Sequence, residues 1–246
     1  MSNRCVDEVI LIGAGVIGLS IAYELATRGQ KVRILERGEK VGREASWAGA
    51  GILPPANVKN VLDPLEKLRG ISHQLHPLWA EQLKQETGID TGFHQCGGIY
   101  LARKPGETAS LAGYISLLKQ ENIEATLLSR DALLELEPTL DPDQFQAAYL
   151  LPQELTLRNP RHVKALSKAC ELRGVQIDTN CEILGFECNN GIITGLKTSN
   201  GLISGRQYCI AAGAWSSELL KQVTKIPTGV VPIRGQMILF EGPERL

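Results

Sequence analysis

Residues Val9–Gly38 read "VILIGAGVIGLSIAYELATRGQKVRILERG", and their changing period decides the fold. Val9–Ile12 is a short run of apolar residues only, the pattern of a strand buried on both faces. Gly13, Gly15 and Gly18 follow as G-x-G-x-x-G. From Val16 the period becomes helical. Ile17, Ile21 and Leu25 share one face, flanked by Val16, Leu19, Ala22 and Ala26. Gly29 stands where a left-handed C-terminal cap would fall. Lys31 to Glu36 then predicts a second strand.

A strand, glycine turn, helix and second strand in this order form a dinucleotide-binding unit, and each glycine has its own reason. Gly13 permits the tight turn out of the strand, with Ala14 inside it. Gly15 lets a pyrophosphate approach the backbone. Gly18 lets the helix pack against the strand. The helix N-terminus offers N–H groups and a partial positive charge to phosphate. Glu36 ends the second strand, where a carboxylate accepts ribose hydroxyls and repels a 2′-phosphate, which disfavours NADP.

The chain has 246 residues, 43% of them hydrophobic and 22% charged, with a formal net charge of −1. That predicts a globular protein of one or two domains. Acidic and basic residues are mixed along the chain, so neither nucleic acid nor a membrane surface is expected as a partner. The polar start "MSNRCVDE" leaves no room for a signal peptide before the glycine motif, and the expected location is cytoplasmic. Cysteines stand at 5, 96, 170, 181, 188 and 209, with no C-x-x-C spacing. Free thiols are expected, and no metal site, since no ligand set completes His73 with His76 or His94 with Cys96.

Further along, "EKVGREASWAGAGILPPA" (39–56) is rich in Gly and Ala. Helices are expected over 62–87, 107–120, 161–173 and about 214–222. A short one within 129–140 would be capped by Ser129 or Asp131. A strand is expected at 96–102, and strand and loop over 147–160. From Gly174 the pattern gives four or five strands with turns at Asn190-Gly191 and Asn200-Gly201, an antiparallel meander. A strand from Gln207 to Ala211 then enters a second glycine turn at Gly213. "VVPIRGQMILFE" (230–241) predicts one more strand.

The stretches "VILIGAGVIGLSIAYEL", "ILERG", "ASWAGAGILPP", "CGGIYLA", "LRNPRHVKAL", "AAGAWS" and "VPIRGQM" together resemble the FAD-dependent amino-acid oxidases of the D-amino-acid oxidase type, and within them the glycine oxidases of thiamine biosynthesis. The resemblance implies an α/β fold: a Rossmann-type FAD-binding domain with a β-meander, from 1–58 and 150–222, plus a partial α+β substrate domain. The latter comprises 60–149 and 223–246, with helices over 60–89 bridging. It implies FAD as cofactor, held without a covalent bond, since residues 42–56 contain no Cys or His. Carried over by position, Gly13, Ala14, Gly15, Val16, Ile17 and Gly18 form the pyrophosphate turn. Glu36 and Arg37 meet the adenosine ribose. Ala45 and Ser46 contact the pyrophosphate region, with Ala at 45 where these oxidases often carry a hydroxyl. Ala50, Gly51 and Ile52 line the flavin, Ile183 meets adenine through its backbone, and Gly213 approaches the cofactor.

Such enzymes oxidise a small amino acid or amine to an imino acid, and oxygen is reduced to hydrogen peroxide. The implied role is supply of dehydroglycine for thiazole formation. A homo-oligomer is compatible with the resemblance. Sarcosine oxidase, D-amino-acid dehydrogenase and a catalytically silent FAD-binding fragment are the alternatives. In the family the carboxylate-binding arginine, a substrate tyrosine and a last flavin-binding glycine loop come from sequence beyond position 246. No catalytic residue is therefore assigned within 1–246. Arg234 is expected to be structural, and Arg103 and Arg158 to lie at the surface.

Overall fold

A computed structural model describes residues 7–59, 61, 63–226 and 228–238. The chain forms two compact units. One comprises Met1–Ala50, Leu83–Thr91 and Asn159–Met237, the other Gly51–Gln82, Gly92–Arg158 and Ile238–Leu246.

The first unit is built on a four-stranded parallel sheet. Asp7–Ile12 lies inside it, paired on one side with Val32–Leu35 and on the other with Gly205–Ile210; Gln176–Asp178 completes the sheet beside Val32–Leu35. Both neighbours of the first strand are parallel, so it has no water-facing edge. Val9, Ile10, Leu11 and Ile12 are accordingly buried. Alternation sends Ile10, Ile12 and Leu35 to one face, where they pack with Cys181, which precedes the meander, and with Leu196 inside it. Helices Val16–Thr27 and Asn159–Leu172 pack together, burying Leu19, Ala22 and Tyr23 of one and Val163, Leu166 and Cys170 of the other. The Cys170 thiol donates to the Leu19 carbonyl at 3.4 Å. The first helix ends as its sequence predicts: Gly29 has φ +78°, its N–H donates to Ala26, and that of Gln30 donates to Leu25.

The meander consists of Ile183–Asn189, Ile192–Thr198 and Gly201–Ile203, antiparallel and in that order. Asn190 and Gly191 have φ of +50° and +79°, the turn that a two-residue hairpin needs. The expected run of four or five antiparallel strands is thus three. Gln176–Asp178 joins the parallel sheet, because after Leu172 the chain emerges beside Val32–Leu35. The helix expected over 214–222 is a short turn, Gly213–Trp215, followed by Ser216–Leu220.

In the second unit Ala147–Leu151 is the middle strand between Gly98–Ala102 and Thr126–Leu127. Helix Pro105–Gln120 covers it through Ile115 and Leu118, which meet Ile123 and Leu151. A second small sheet places Leu155–Thr156 between Ile52–Leu53 and His94–Gln95. The buried Glu154 accepts a hydrogen bond of 2.5 Å from Tyr100, whose phenol is pushed above its ordinary range first by burial and then by this carboxylate. Ser129 caps helix Arg130–Leu136, its hydroxyl accepting from the Ala132 N–H at 3.2 Å; Asp131 falls inside the first turn.

One expected strand is missing. Among described residues, 228–238 carry neither helix nor strand. Val231, Ile233 and Ile238 are exposed, and among the described residues no strand pairs with this segment. Strand propensity without a neighbouring strand leaves the N–H and C=O groups to water, and the extended ladder does not form. Residues 239–241 of that expected strand lie outside the described residues.

Candidate cofactor site

The C-terminal ends of three parallel strands, at Ile12, Leu35 and Ile210, come together in the first unit. The strand order reverses beside Asp7–Ile12, which is where open α/β sheets place ligands. Backbone bonds fix the turns leaving these ends. The Gly13 N–H donates to Leu35 and the Ala211 N–H to Ile12, each at 2.8 Å. The two glycine turns therefore abut. A Cβ at Gly13, whose φ is +103°, would stand 2.6 Å from the Ala211 carbonyl oxygen, and one at Gly18 would overlap the Gly13 carbonyl oxygen. Gly213 turns with φ +53°.

Gly15 is the N-cap of helix Val16–Thr27 and supplies no side-chain cap. The missing cap comes from thirty residues away: Ser46 accepts from the Val16 N–H at 2.9 Å. Ile17, beside it in the first turn, is 63% exposed. Ala14 is fully buried, and its N–H donates to Glu36 Oε2 at 2.8 Å. Glu36 Oε1 accepts the Gly38 N–H, also at 2.8 Å. The carboxylate after the second strand thus ties the first glycine turn to the turn at Gly38. Each of its oxygens has a second lone pair to offer.

Arg37 is held from two sides. Its guanidinium stacks 3.7 Å from the ring centre of Trp215 and pairs with Glu44 at 3.3 Å. Ile183 sits at the start of the meander, partly buried against the core under Leu35. The chain leading to it is tied to the Glu36 turn: the Cys181 N–H donates to Glu36 at 2.9 Å and that of Asn180 to Gly38 at 3.0 Å. Ala45 and Ser46 open the short helix Ala45–Ala48. Ala45 and Ala50 are exposed. Gly51, with φ +79°, and the exposed Ile52 belong to the second unit.

Of the sequence-predicted residues, Gly15, Glu36 and Ser46 line one cleft. It is also lined by Gly38, Lys40, Gly42, Arg43 and Glu44, which the sequence reading did not single out. Lys40 and Arg43 had one visible signal, two cations following the acid that ends the second strand. Ser46 as a helix cap and Trp215 under Arg37 had none.

The donor set suits FAD on two counts. Helix Val16–Thr27 opens with first-turn N–H groups beside a glycine, and a ribose-sized acceptor stands at the end of the neighbouring strand. The cleft also has cations for a diphosphate. Among the described residues no group of His, Cys, Asp or Glu is arranged to hold a metal ion, and no helix is long and apolar enough to cross a membrane.

Known proteins share much of this sequence and fold. The glycine oxidase of Pseudomonas putida is 35% identical over 239 residues, covering 96% of this chain and 63% of that protein. The bifunctional protein ThiO/ThiG of Trichormus variabilis is 31% identical, over 96% of this chain and 34% of its own. The crystal structure of glycine oxidase from Bacillus cereus superposes with a TM-score of 0.80 at 31% identity, covering 87% of this chain and 57% of that one. The chain thus spans less than two thirds of these relatives. The family model described as FAD dependent oxidoreductase, DAO, matches residues 8–246, and the chain belongs to that family, with FAD as its cofactor.

Proposed function

We propose that the whole protein is an oxidase of glycine or another small amine, which forms the imino acid and hydrogen peroxide and supplies dehydroglycine for thiazole formation in the cytoplasm. The observation that supports this most is the Glu36 carboxylate that ties Ala14 to the Gly38 turn beside a helix start capped by Ser46, in a chain 35% identical to a glycine oxidase. The likeness to a bifunctional ThiO/ThiG protein supports the thiazole role.

In this reading the first unit carries most of the cofactor contacts. Residues 13–18 and Ser46 face the pyrophosphate, Glu36 and Arg37 the ribose, and the Ile183 backbone the adenine. Gly213 lets the second glycine turn approach the cofactor, and Ala50 lines the flavin. Bound FAD supplies the hydride acceptor. The task of these residues is position: they hold the cofactor, and no side chain among them need move a proton. Sarcosine oxidase and D-amino-acid dehydrogenase would use the same cofactor residues.

Oxygen uptake coupled to peroxide release, with glycine, sarcosine and D-alanine in parallel, tests the reading. Glycine should be turned over fastest. Flavin reduction without oxygen uptake would replace the oxidase by a dehydrogenase. Acid precipitation should carry all the yellow colour into the supernatant; colour kept in the pellet would show covalent attachment.

A further inference from the structure

We propose that the first unit holds a second anion site, a groove that takes a small aromatic phosphate ester. The groove has a volume of about 540 Å³, within the usual range for small-molecule sites. Its floor is apolar, made by Val41, Trp47, Ile89, Pro160 and Val163. Its rim carries Lys40, Arg43, Arg161, Lys164 and Lys168 against one carboxylate, Glu171. The whole chain has 26 basic and 27 acidic residues, so five cations against one acid is a marked local segregation.

The groove is built, because the chain before Trp47 is pressed onto helix Asn159–Leu172. Gly42 is buried with φ +64°, and a Cβ there would run into Val163. Arg161 and Lys164 lie in the first turns of that fourteen-residue helix, whose dipole adds positive potential at the same end. Glu171 is already answered by Lys168 at 3.4 Å. Lys40, Arg43, Arg161 and Lys164 have no carboxylate partner within 4.0 Å among the described residues. Arg43 instead lies over the Trp47 ring, 3.9 Å from its centre. Lys40 and Arg43 are shared with the cofactor cleft; Arg161 and Lys164 are the groove's own uncompensated cations, and beside the apolar floor they call for a dianion on a flat apolar body. A phosphate dianion on an aromatic ring has both.

Lys40 and Arg43 also line the cofactor cleft, so the test uses only residues that do not. Phenyl phosphate titrated calorimetrically into the FAD-loaded chain at low salt should bind one to one. Arg161→Glu and Lys164→Glu should each weaken it about tenfold, the loss of one charge-assisted contact, while FAD content stays unchanged. Inorganic phosphate should bind about tenfold more weakly than phenyl phosphate, since it cannot use the floor. The proposal is overturned if no saturation is seen by about 10 mM, above the roughly millimolar affinity expected for so small a ligand. It is equally overturned if the two variants bind as the parent does, or if inorganic phosphate binds as well as the ester. Sedimentation with phosphatidylserine vesicles, lost in the same variants while phenyl phosphate fails to bind, would reassign the groove to a lipid surface.

Discussion

Residues 9–12 and 230–238 both carry branched apolar side chains, in the later segment interrupted by Pro232, Arg234, Gly235 and Gln236, and their fates are opposite. Val9–Ile12 are no more than 5% exposed and paired on both sides, whereas Val231 is 69%, Ile233 88% and Ile238 72% exposed, in chain without regular structure. The first run has a parallel strand on each edge, with the meander on the face of Ile10 and Ile12. The later one is tethered near its start, where Ser217 meets Thr228 and donates to the Val230 carbonyl at 2.7 Å. A branched apolar run is a strand only where partners for its backbone exist. Four experiments would break or sharpen this contrast.

The largest effect should come from Gly18→Val. The added Cβ has no room beside the Gly13 carbonyl, which is held in turn by the Ala211 turn. Backbone on both sides must move, at an expected cost of about 3 kcal/mol or more. Urea unfolding should show a markedly lower midpoint together with loss of bound FAD. A yellow variant with the parent's midpoint would mean that the two turns are not packed as described.

Ile10→Ala and Ile233→Ala test the contrast directly. Ile10 is fully buried, so truncation should cost about 2–5 kcal/mol. Ile233 is almost wholly exposed, and the same change should stay within about 0.5 kcal/mol. It should instead improve solubility, because an unpaired apolar stretch favours association. Static light scattering measures that part. A loss above about 2 kcal/mol at Ile233 would show that 230–238 is packed in solution.

Glu36→Ala removes the acceptor of two backbone N–H groups as well as the proposed ribose ligand. FAD affinity should fall roughly ten- to a hundredfold, about 1.5–3 kcal/mol. Glu36→Gln keeps one acceptor oxygen and should lose less. Unchanged affinity in the alanine variant would remove Glu36 from the ribose.

What the sequence made legible in this region was periodic or local. The switch from apolar run to glycine turn to helical period placed the first strand, its helix and Glu36. The Asn190-Gly191 pair placed its hairpin turn, because the turn chemistry is contained in the two residues themselves; the turn expected at Asn200-Gly201 falls one residue earlier, on Ser199-Asn200, with Gly201 already paired to Thr198. The α/β class was visible in the same way, whereas the FAD family was legible only through the resemblance carried by stretches spread along the chain. What escaped depends on approach across long separations: Ser46 capping a helix that starts at Val16, Trp215 beneath Arg37, Lys40 and Arg43 on the cleft wall. The backbone role of Glu36 escaped because the motif explains the residue without it. The strand expected at 230–241 failed for a related reason, since propensity says nothing about whether a neighbour is there to pair with.

The smallest effect concerns reactivity, and it probes the buried side of the contrast without disturbing it. Cys170 is fully buried between the two helices that cover the parallel sheet, and burial pushes its thiol up to about 12. The thiolate is the nucleophile, so at pH 8 only about one Cys170 in ten thousand is in the reactive form, against roughly a quarter of ordinary thiols. Cys96 and Cys188 are exposed. Alkylation of the native chain at pH 8, followed by peptide mass mapping, should label both at least about a hundredfold faster than Cys170. Raising the pH to 9 should increase labelling of native Cys170 about tenfold while the fold persists, because its thiolate fraction is still far from saturation. In urea above the unfolding midpoint the difference should vanish, since the hydrogen bond to Leu19 and the helix contact are then gone. Equal rates in the native chain would mean that helix Asn159–Leu172 opens from helix Val16–Thr27 without global unfolding. The glycine turn would then rest on a less rigid support than the buried first strand indicates.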